Sequence, residues 1–149
     1  MNSKNIFDLI SLKNKISVVT GGAGHLGSAI SESLAELGSN IILIGRDDKK
    51  GETFADELSS NFNINANFIQ ADVNSKQSID SLMKNINKID ILINNAFTWP
   101  SILKIEDTDW DDFENTLTTG ITSPFYMAKK SAEIMKKSSG GNIINIGSM

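Results

Sequence analysis

Five short runs of aliphatic and β-branched residues alternate along this chain with segments of helical spacing, and that alternation leaves few folds open. The runs are Ile16–Thr20 (ISVVT), Ile41–Ile44, Ala66–Gln70 (ANFIQ), Ile89–Ile93 (IDILI) and Asn142–Ile146. Each is short, nearly continuous in apolar character and bounded by turn residues, the pattern of a strand buried on both faces. Between the first two, Leu26, Ile30, Leu34 and Leu37 recur at helical spacing, and Gly38 is placed to end the helix. Asp47 or Asp48 can cap a helix carrying Phe54, Ala55 and Leu58, and Asn74 or Ser75 one carrying Ile79, Leu82, Met83 and Ile86. Thr108 can cap a helix through Trp110, Phe113 and Leu117; Gly120 interrupts it, and Ser123–Pro124 restart it as far as about Lys137. Continuous apolar strands separated by amphipathic helices predict an α/β fold with a parallel sheet covered on both faces. Right-handed crossovers then make it doubly wound, in strand order 3-2-1-4-5. Ligands of such sheets bind beyond the carboxyl ends of the strands where the winding reverses, here between strands 1 and 4.

Composition narrows the classes of function. A length of 149 residues suits one domain, and 40% hydrophobic with 21% charged residues is ordinary for a globular protein. The net charge of −4 argues against a general nucleic-acid or anionic-membrane binder. The absence of cysteine removes disulfides and thiolate metal sites and fits a reducing compartment. No apolar run has the length of a membrane span, and MNSKNIFDLISLKNK is too polar for a signal-peptide core. The expectation is a soluble, cytoplasmic protein without a metal site.

The stretch TGGAGHLG, Thr20 to Gly27, joins the first strand to its helix and contains G-x-G-x-x-G at Gly22, Gly24 and Gly27. In this context the first glycine permits a tight turn, the second allows close approach of a pyrophosphate, and the third lets the helix pack on the sheet. The helix N-terminus then offers free N–H groups and its positive dipole end to the anion. A glycine-rich turn that binds nothing is the bland alternative.

Together with ADV at Ala71–Val73, NNA at Asn94–Ala96 and IINIGS at Ile143–Ser148, this turn resembles the short-chain dehydrogenase/reductase family, in motif order and placement, from about Phe7 to the last residue. The resemblance implies a Rossmann-like, NAD(P)-dependent oxidoreductase that moves hydride between nicotinamide and a carbonyl or alcohol substrate. It implies that Thr20, Gly21, Gly22, Gly24, His25, Leu26 and Gly27 cradle the cofactor pyrophosphate. Asp72 would hydrogen-bond the adenine with Val73 beside it, and Asn95 and Ala96 would line the nicotinamide ribose. Ser148 would bind the substrate oxygen and assist a catalytic tyrosine, itself tuned by a lysine one helical turn later. A homo-oligomer is expected of the complete protein.

Several residues depart from that pattern. The family's Tyr-x-x-x-Lys lies downstream of the serine, whereas the chain stops one residue after Ser148; the expectation is a single domain, incomplete at its C-terminus, inactive by itself and poorly folded, with an open apolar edge at strand 5. Tyr126-x-x-x-Lys130 matches the letters but precedes the serine, so Tyr126 is expected to pack on a helix face beside Phe125. Phe97 replaces the glycine of Asn-Asn-Ala-Gly, and Gly120 stands where the family has a relay asparagine. Such departures also suit a non-catalytic dinucleotide-binding module or degenerate homologue. After strand 2, Gly45 takes the place of an NAD-selecting acid, and Arg46 offers a planar fork to a 2′-phosphate, so NADP is expected ahead of NAD. Asp47 and Asp48 could oppose this by turning inward. His25 alone makes no metal site. The acidic cluster Glu106, Asp107, Asp109, Asp111 and Asp112 lacks the spacing of a calcium loop and suits a helix N-terminus. Trp99 and Trp110 could serve a core, a pocket mouth or a subunit contact.

Overall fold

The computed structural model describes residues 5–97 and 104–147. A short helix α1 (Ile6–Ile10) precedes β1 (Ile16–Thr20), α2 (His25–Glu36), β2 (Asn40–Gly45), α3 (Asp48–Phe62) and β3 (Ala66–Gln70). Then follow α4 (Lys76–Lys84), β4 (Ile91–Asn94), a 3-10 turn (Ile105–Asp107), α5 (Trp110–Leu117), a π turn (Thr118–Thr122), α6 (Ser123–Met135) and β5 (Asn142–Asn145). The five strands form one sheet in the order β3-β2-β1-β4-β5, and all four pairings are parallel.

The alternation of side chains along each strand divides the core in two. Ile41 and Leu43 of β2 face α2 and α3, packing with Ala35, Ala55 and Leu58. Ile44, with Val18 and Leu92, faces α4 and α6 and packs with Ile79, Leu82 and Met127. The buried face of α2 is Gly27, Ser31 and Ala35, one residue every four. The predicted stripe is displaced: Leu26 is 54% exposed, and Ile30 and Leu34 are half-buried. Small side chains form the seam because the helix lies close on the sheet. Gly38, with φ +90°, follows the helix end as expected.

Local chemistry settles the helix starts. Asp47, not Asp48, caps α3 by accepting from Lys50 N at 3.1 Å, and Ser75 caps α4. Asp109 rather than Thr108 caps α5, accepting from Asp112 N, with Asp111 and Asp112 in its first turn, so the acidic cluster serves a helix dipole. Helix α1 escaped the periodicity reading because it has five residues; its signal was the reciprocal cap between Asn5 and Asp8.

Two other expectations are corrected. Gly120 does not break the helix: α5, the π turn and α6 run on without a gap, and Ser123 keeps helical backbone angles instead of acting as an N-cap. The i→i+5 bonding of the π turn absorbs the irregularity. Strand β5, whose apolar run reads as buried, is instead exposed, in line with the open apolar edge expected there: Ile143 and Ile144 are 36% and 47% accessible, and Ile146 just after the strand 42%. It pairs with β4 along one edge, and no described element covers it. Trp110 is likewise no core residue, being 74% exposed, whereas Trp99 lies outside the described residues. No helix among the described residues is long and apolar enough to cross a membrane.

Candidate functional site

The site is assembled where β1 and β4 end side by side. Thr20, the last residue of β1, is buried, and its Oγ1 accepts hydrogen bonds from Asn95 N at 2.9 Å and Ala96 N at 3.0 Å. The Asn95 side chain returns the contact, donating Nδ2 to the carbonyls of Thr20 at 3.0 Å and Gly21 at 3.3 Å. One threonine and one asparagine thus tie the glycine-rich turn to the end of β4, although the two lie 75 positions apart.

Within the turn, the left-handed residue is Gly21, φ +63°, and not Gly22, so the conformational demand falls one residue before the G-x-G-x-x-G pattern. Gly22 is closely packed: a β-carbon there would stand 2.6 Å from Leu43 Cδ2 and 3.0 Å from the Val19 carbonyl. At Gly27 a β-carbon would run into the Gly21 carbonyl, so the third glycine seats α2 against its own turn. Ser31, which the sequence did not single out, donates to the Gly22 carbonyl at 3.2 Å and fixes the turn from the helix side.

Helix α2 begins at Gly24 with no side-chain cap and no acidic residue in its first turn. By contrast α1, α3, α4 and α5 are each closed by a side chain. His25 and Leu26 are exposed beside this open end. A groove lined by His25, Ser28, Lys49, Lys50 and Thr53, and also by the carboxylates Glu32, Asp47 and Glu57, runs from it towards α3. The mixed charge of the groove favours no ligand sign; what suits a pyrophosphate is the uncapped helix end itself.

The remaining predicted residues rim the same end of the sheet. Arg46 is exposed just after β2; its carbonyl accepts from Gln70 Nε2, and among the described residues its guanidinium has no ion pair. Asp72 is exposed after β3, where its Oδ1 accepts from Asn74 N and its own N–H donates to Ser78. Val73 is half-buried, and with Thr20, Ala96, Ser123 and Pro124 it lines a small crevice at the winding reversal. Asn94, the first residue of the NNA motif and buried, ties β5 and α6 to β4 through Nδ2, which donates to Asn145 Oδ1 at 2.8 Å and the Pro124 carbonyl at 3.1 Å. Asn94 also lines the crevice, whereas the Asn95 side chain is turned to the glycine-rich turn. Ser148 lies outside the described residues.

Tyr126 takes no place at this site. Its hydroxyl donates to Asp80 Oδ1 at 2.7 Å, and Lys130 and Lys76 pair with the same carboxylate at 3.1 Å and 3.0 Å. The Tyr126 hydroxyl, with the two ammonium groups, holds the Asp80 carboxyl well below the usual range, and Asp80 in turn raises both lysines. The group is a clamp between α4 and α6. The Tyr-x-x-x-Lys spacing here simply puts both residues on the helix face that meets Asp80.

Comparison with known proteins agrees with the geometry. Residues 15–149 match the family model described as short chain dehydrogenase, and the chain belongs to that family. A curated relative, the 3-oxoacyl-(acyl-carrier-protein) reductase FabG of Aquifex aeolicus (strain VF5), is 32% identical over 146 residues, covering 94% of this chain and 58% of the relative. The crystal structure of an NAD+-bound xylitol dehydrogenase superposes with a TM-score of 0.84 at 30% identity, over 93% of this chain and 54% of that one. The NADPH-dependent 3-quinuclidinone reductase from Rhodotorula rubra also gives 0.84, at 27% identity, over 97% and 56%. The chain therefore spans little more than half the length of these relatives.

Proposed function

We propose that the chain forms the dinucleotide-binding unit, a single domain, of a cytoplasmic NAD(P)-dependent oxidoreductase acting on a carbonyl or alcohol carbon. The observation that carries this reading is the Thr20–Gly27 turn, locked to Asn95 and Ala96 and opening onto the uncapped end of α2. In this reading the first turn of α2 binds the pyrophosphate, Asp72 and Val73 hold the adenine, and Asn95 and Ala96 position the nicotinamide ribose. The bound nicotinamide supplies or accepts the hydride. Ser148 hydrogen-bonds the substrate oxygen.

NADP is the preferred form. Arg46 is exposed and without an ion pair among the described residues, while the carboxylate of Asp47 is committed to capping α3. Nothing acidic at Gly45 repels a 2′-phosphate, and a charge-assisted contact with Arg46 contributes about 1–3 kcal/mol. The two structural relatives differ in cofactor, so the selecting residues must be sought in this chain.

Titration of NADPH and NADH into the complete protein tests both points. Gly24→Asp would cap α2 and set a carboxylate against the pyrophosphate, so it should weaken both cofactors more than tenfold. Arg46→Ala should weaken NADPH about tenfold and leave NADH nearly unchanged. Equal affinity of the wild type for both cofactors overturns the NADP preference, and no binding of either overturns the whole reading.

A second reading is dinucleotide binding without chemistry; Tyr126, held by Asp80 away from the site, supplies no proton donor there. Residues 1–149 alone are expected to show no hydride transfer. Carbonyl-dependent NADPH oxidation by those residues, abolished by Ser148→Ala, would contradict this.

A further inference from the structure

The loop of residues 72–75 that follows β3 is held from several sides. The Asp72 N–H donates to Ser78 Oγ at 3.0 Å, and Asp72 Oδ1 accepts from Asn74 N at 3.0 Å. The Asp72 carbonyl accepts from Ser75 N at 3.1 Å. From across the fold, the buried Ser123 of α6 donates to Asn74 Oδ1 at 3.2 Å. Ser78 does not serve the end of its own helix. In a capping box, the side chain at its position in α4 would turn back to the N–H of the cap residue Ser75. That N–H is taken by the Asp72 carbonyl, and the Ser78 hydroxyl reaches past it into the loop. Two groups of the loop are left over: Asp72 Oδ2 and the Val73 N–H make no hydrogen bond among the described residues, and Asp72 is exposed.

We infer that Ser78 is a positioning residue for the cofactor purine: through Asp72 it fixes an acceptor, Asp72 Oδ2, next to a donor, the Val73 N–H, and so makes the site prefer a 6-aminopurine dinucleotide to a 6-oxopurine one. This rests on the dinucleotide reading above. A 6-aminopurine presents an N–H donor beside the N1 acceptor, the complement of that pair. A 6-oxopurine presents the reverse, so its oxygen meets a carboxylate that can only accept. The pair reads the purine edge only while its two members keep one relative orientation. The Ser78 bond fixes the amide on the amino side of Asp72, and the Asn74 N–H fixes the carboxylate. Val73 is fixed by packing against the core and along the crevice. Without the Ser78 hydroxyl, the exposed Asp72 N–H finds water instead, so the fold loses little while the carboxylate gains freedom to turn.

The test titrates the complete protein with NADPH and with its hypoxanthine analogue, reduced nicotinamide hypoxanthine dinucleotide phosphate. The wild type should bind NADPH about 30-fold more tightly than the analogue. Ser78→Ala should cut that ratio about fivefold or more, almost entirely through weaker NADPH binding, whereas Ser78→Thr, which keeps the acceptor, should stay within about twofold of the wild type. The thermal midpoint of Ser78→Ala should lie within about 2 °C of the wild type. Asp72→Asn keeps the Ser78 bond but offers an amide that can donate as well as accept, so it should bring the ratio close to unity. Equal wild-type affinities for the two nucleotides, or a ratio unmoved by Asp72→Asn, overturns the purine pair. A ratio unmoved by Ser78→Ala, an equal loss for both nucleotides, or a fall with Ser78→Thr as large as with alanine overturns the role of Ser78. A Ser78→Ala midpoint lower by more than about 5 °C makes the bond a support of the fold and overturns that role too. Binding of neither nucleotide by the folded wild type overturns the dinucleotide reading itself, and the inference with it.

Discussion

At the scale of single residues, Thr20 concentrates the most consequence in the fewest atoms. Its hydroxyl oxygen accepts from two backbone N–H groups at the end of β4 and lies buried at 2% exposure. Valine has the same shape but no acceptor, so Thr20→Val strands both N–H groups. The expected cost is about 2 kcal/mol in urea unfolding, with NADPH affinity about tenfold weaker because Asn95 and Ala96 lose their anchor. Unchanged affinity at reduced stability would mean that the bonds hold the fold and not the cofactor. Threonine at the end of the first strand was legible as part of the motif. That it is the acceptor joining two distant motifs was not, because hydrogen-bond partners 75 positions apart leave no local trace.

At the scale of elements, close approach of helix to sheet overrides helix propensity. Gly51 in α3 lies against Phe68 of β3, and a β-carbon there would overlap the ring. Alanine is a better helix former than glycine by about 1 kcal/mol, yet Gly51→Ala is expected to destabilise the protein by about 1–2 kcal/mol, since overpacking costs more than the propensity returns. A raised urea midpoint would show that the ring moves aside freely. The same closeness gives α2 its seam of Gly27, Ser31 and Ala35 in place of the Leu26 and Ile30 stripe that apolar periodicity predicts. Periodicity locates a helix, but which stripe is buried depends on the distance to the sheet.

At the scale of the whole molecule, Asp90 pins the amino end of the sheet. Its carboxylate, 5% exposed, accepts from Ile16 N at 2.9 Å and pairs with Lys15 at 3.2 Å and Lys88 at 3.1 Å, while its backbone bonds Ile16 and Asn142. Burial pushes this carboxyl up, but the Ile16 hydrogen bond and the two ammonium groups outweigh it and hold it below its ordinary 3.8. A carboxyl lowered by folding contributes stability above its unfolded value, and that contribution is lost as pH falls through the lower folded value. Stability should therefore decline below about pH 4, and Asp90→Asn should flatten that decline while lowering stability at neutral pH. Parallel acid limbs for the two proteins would place the acid sensitivity elsewhere.

The sequence by itself determined the class of fold, the strand order, the glycine-rich turn and the family, because apolar periodicity, glycine spacing and short motifs are local quantities. It also separated Tyr126 from the site by its position before Ser148. Only the tertiary structure decided that Gly21 carries the left-handed turn, that Asp47 and not Asp48 caps α3, and that Asp80 holds Tyr126. In those cases the outcome depends on which atoms compete for one space or one proton, and sequence separation carries no information about that competition.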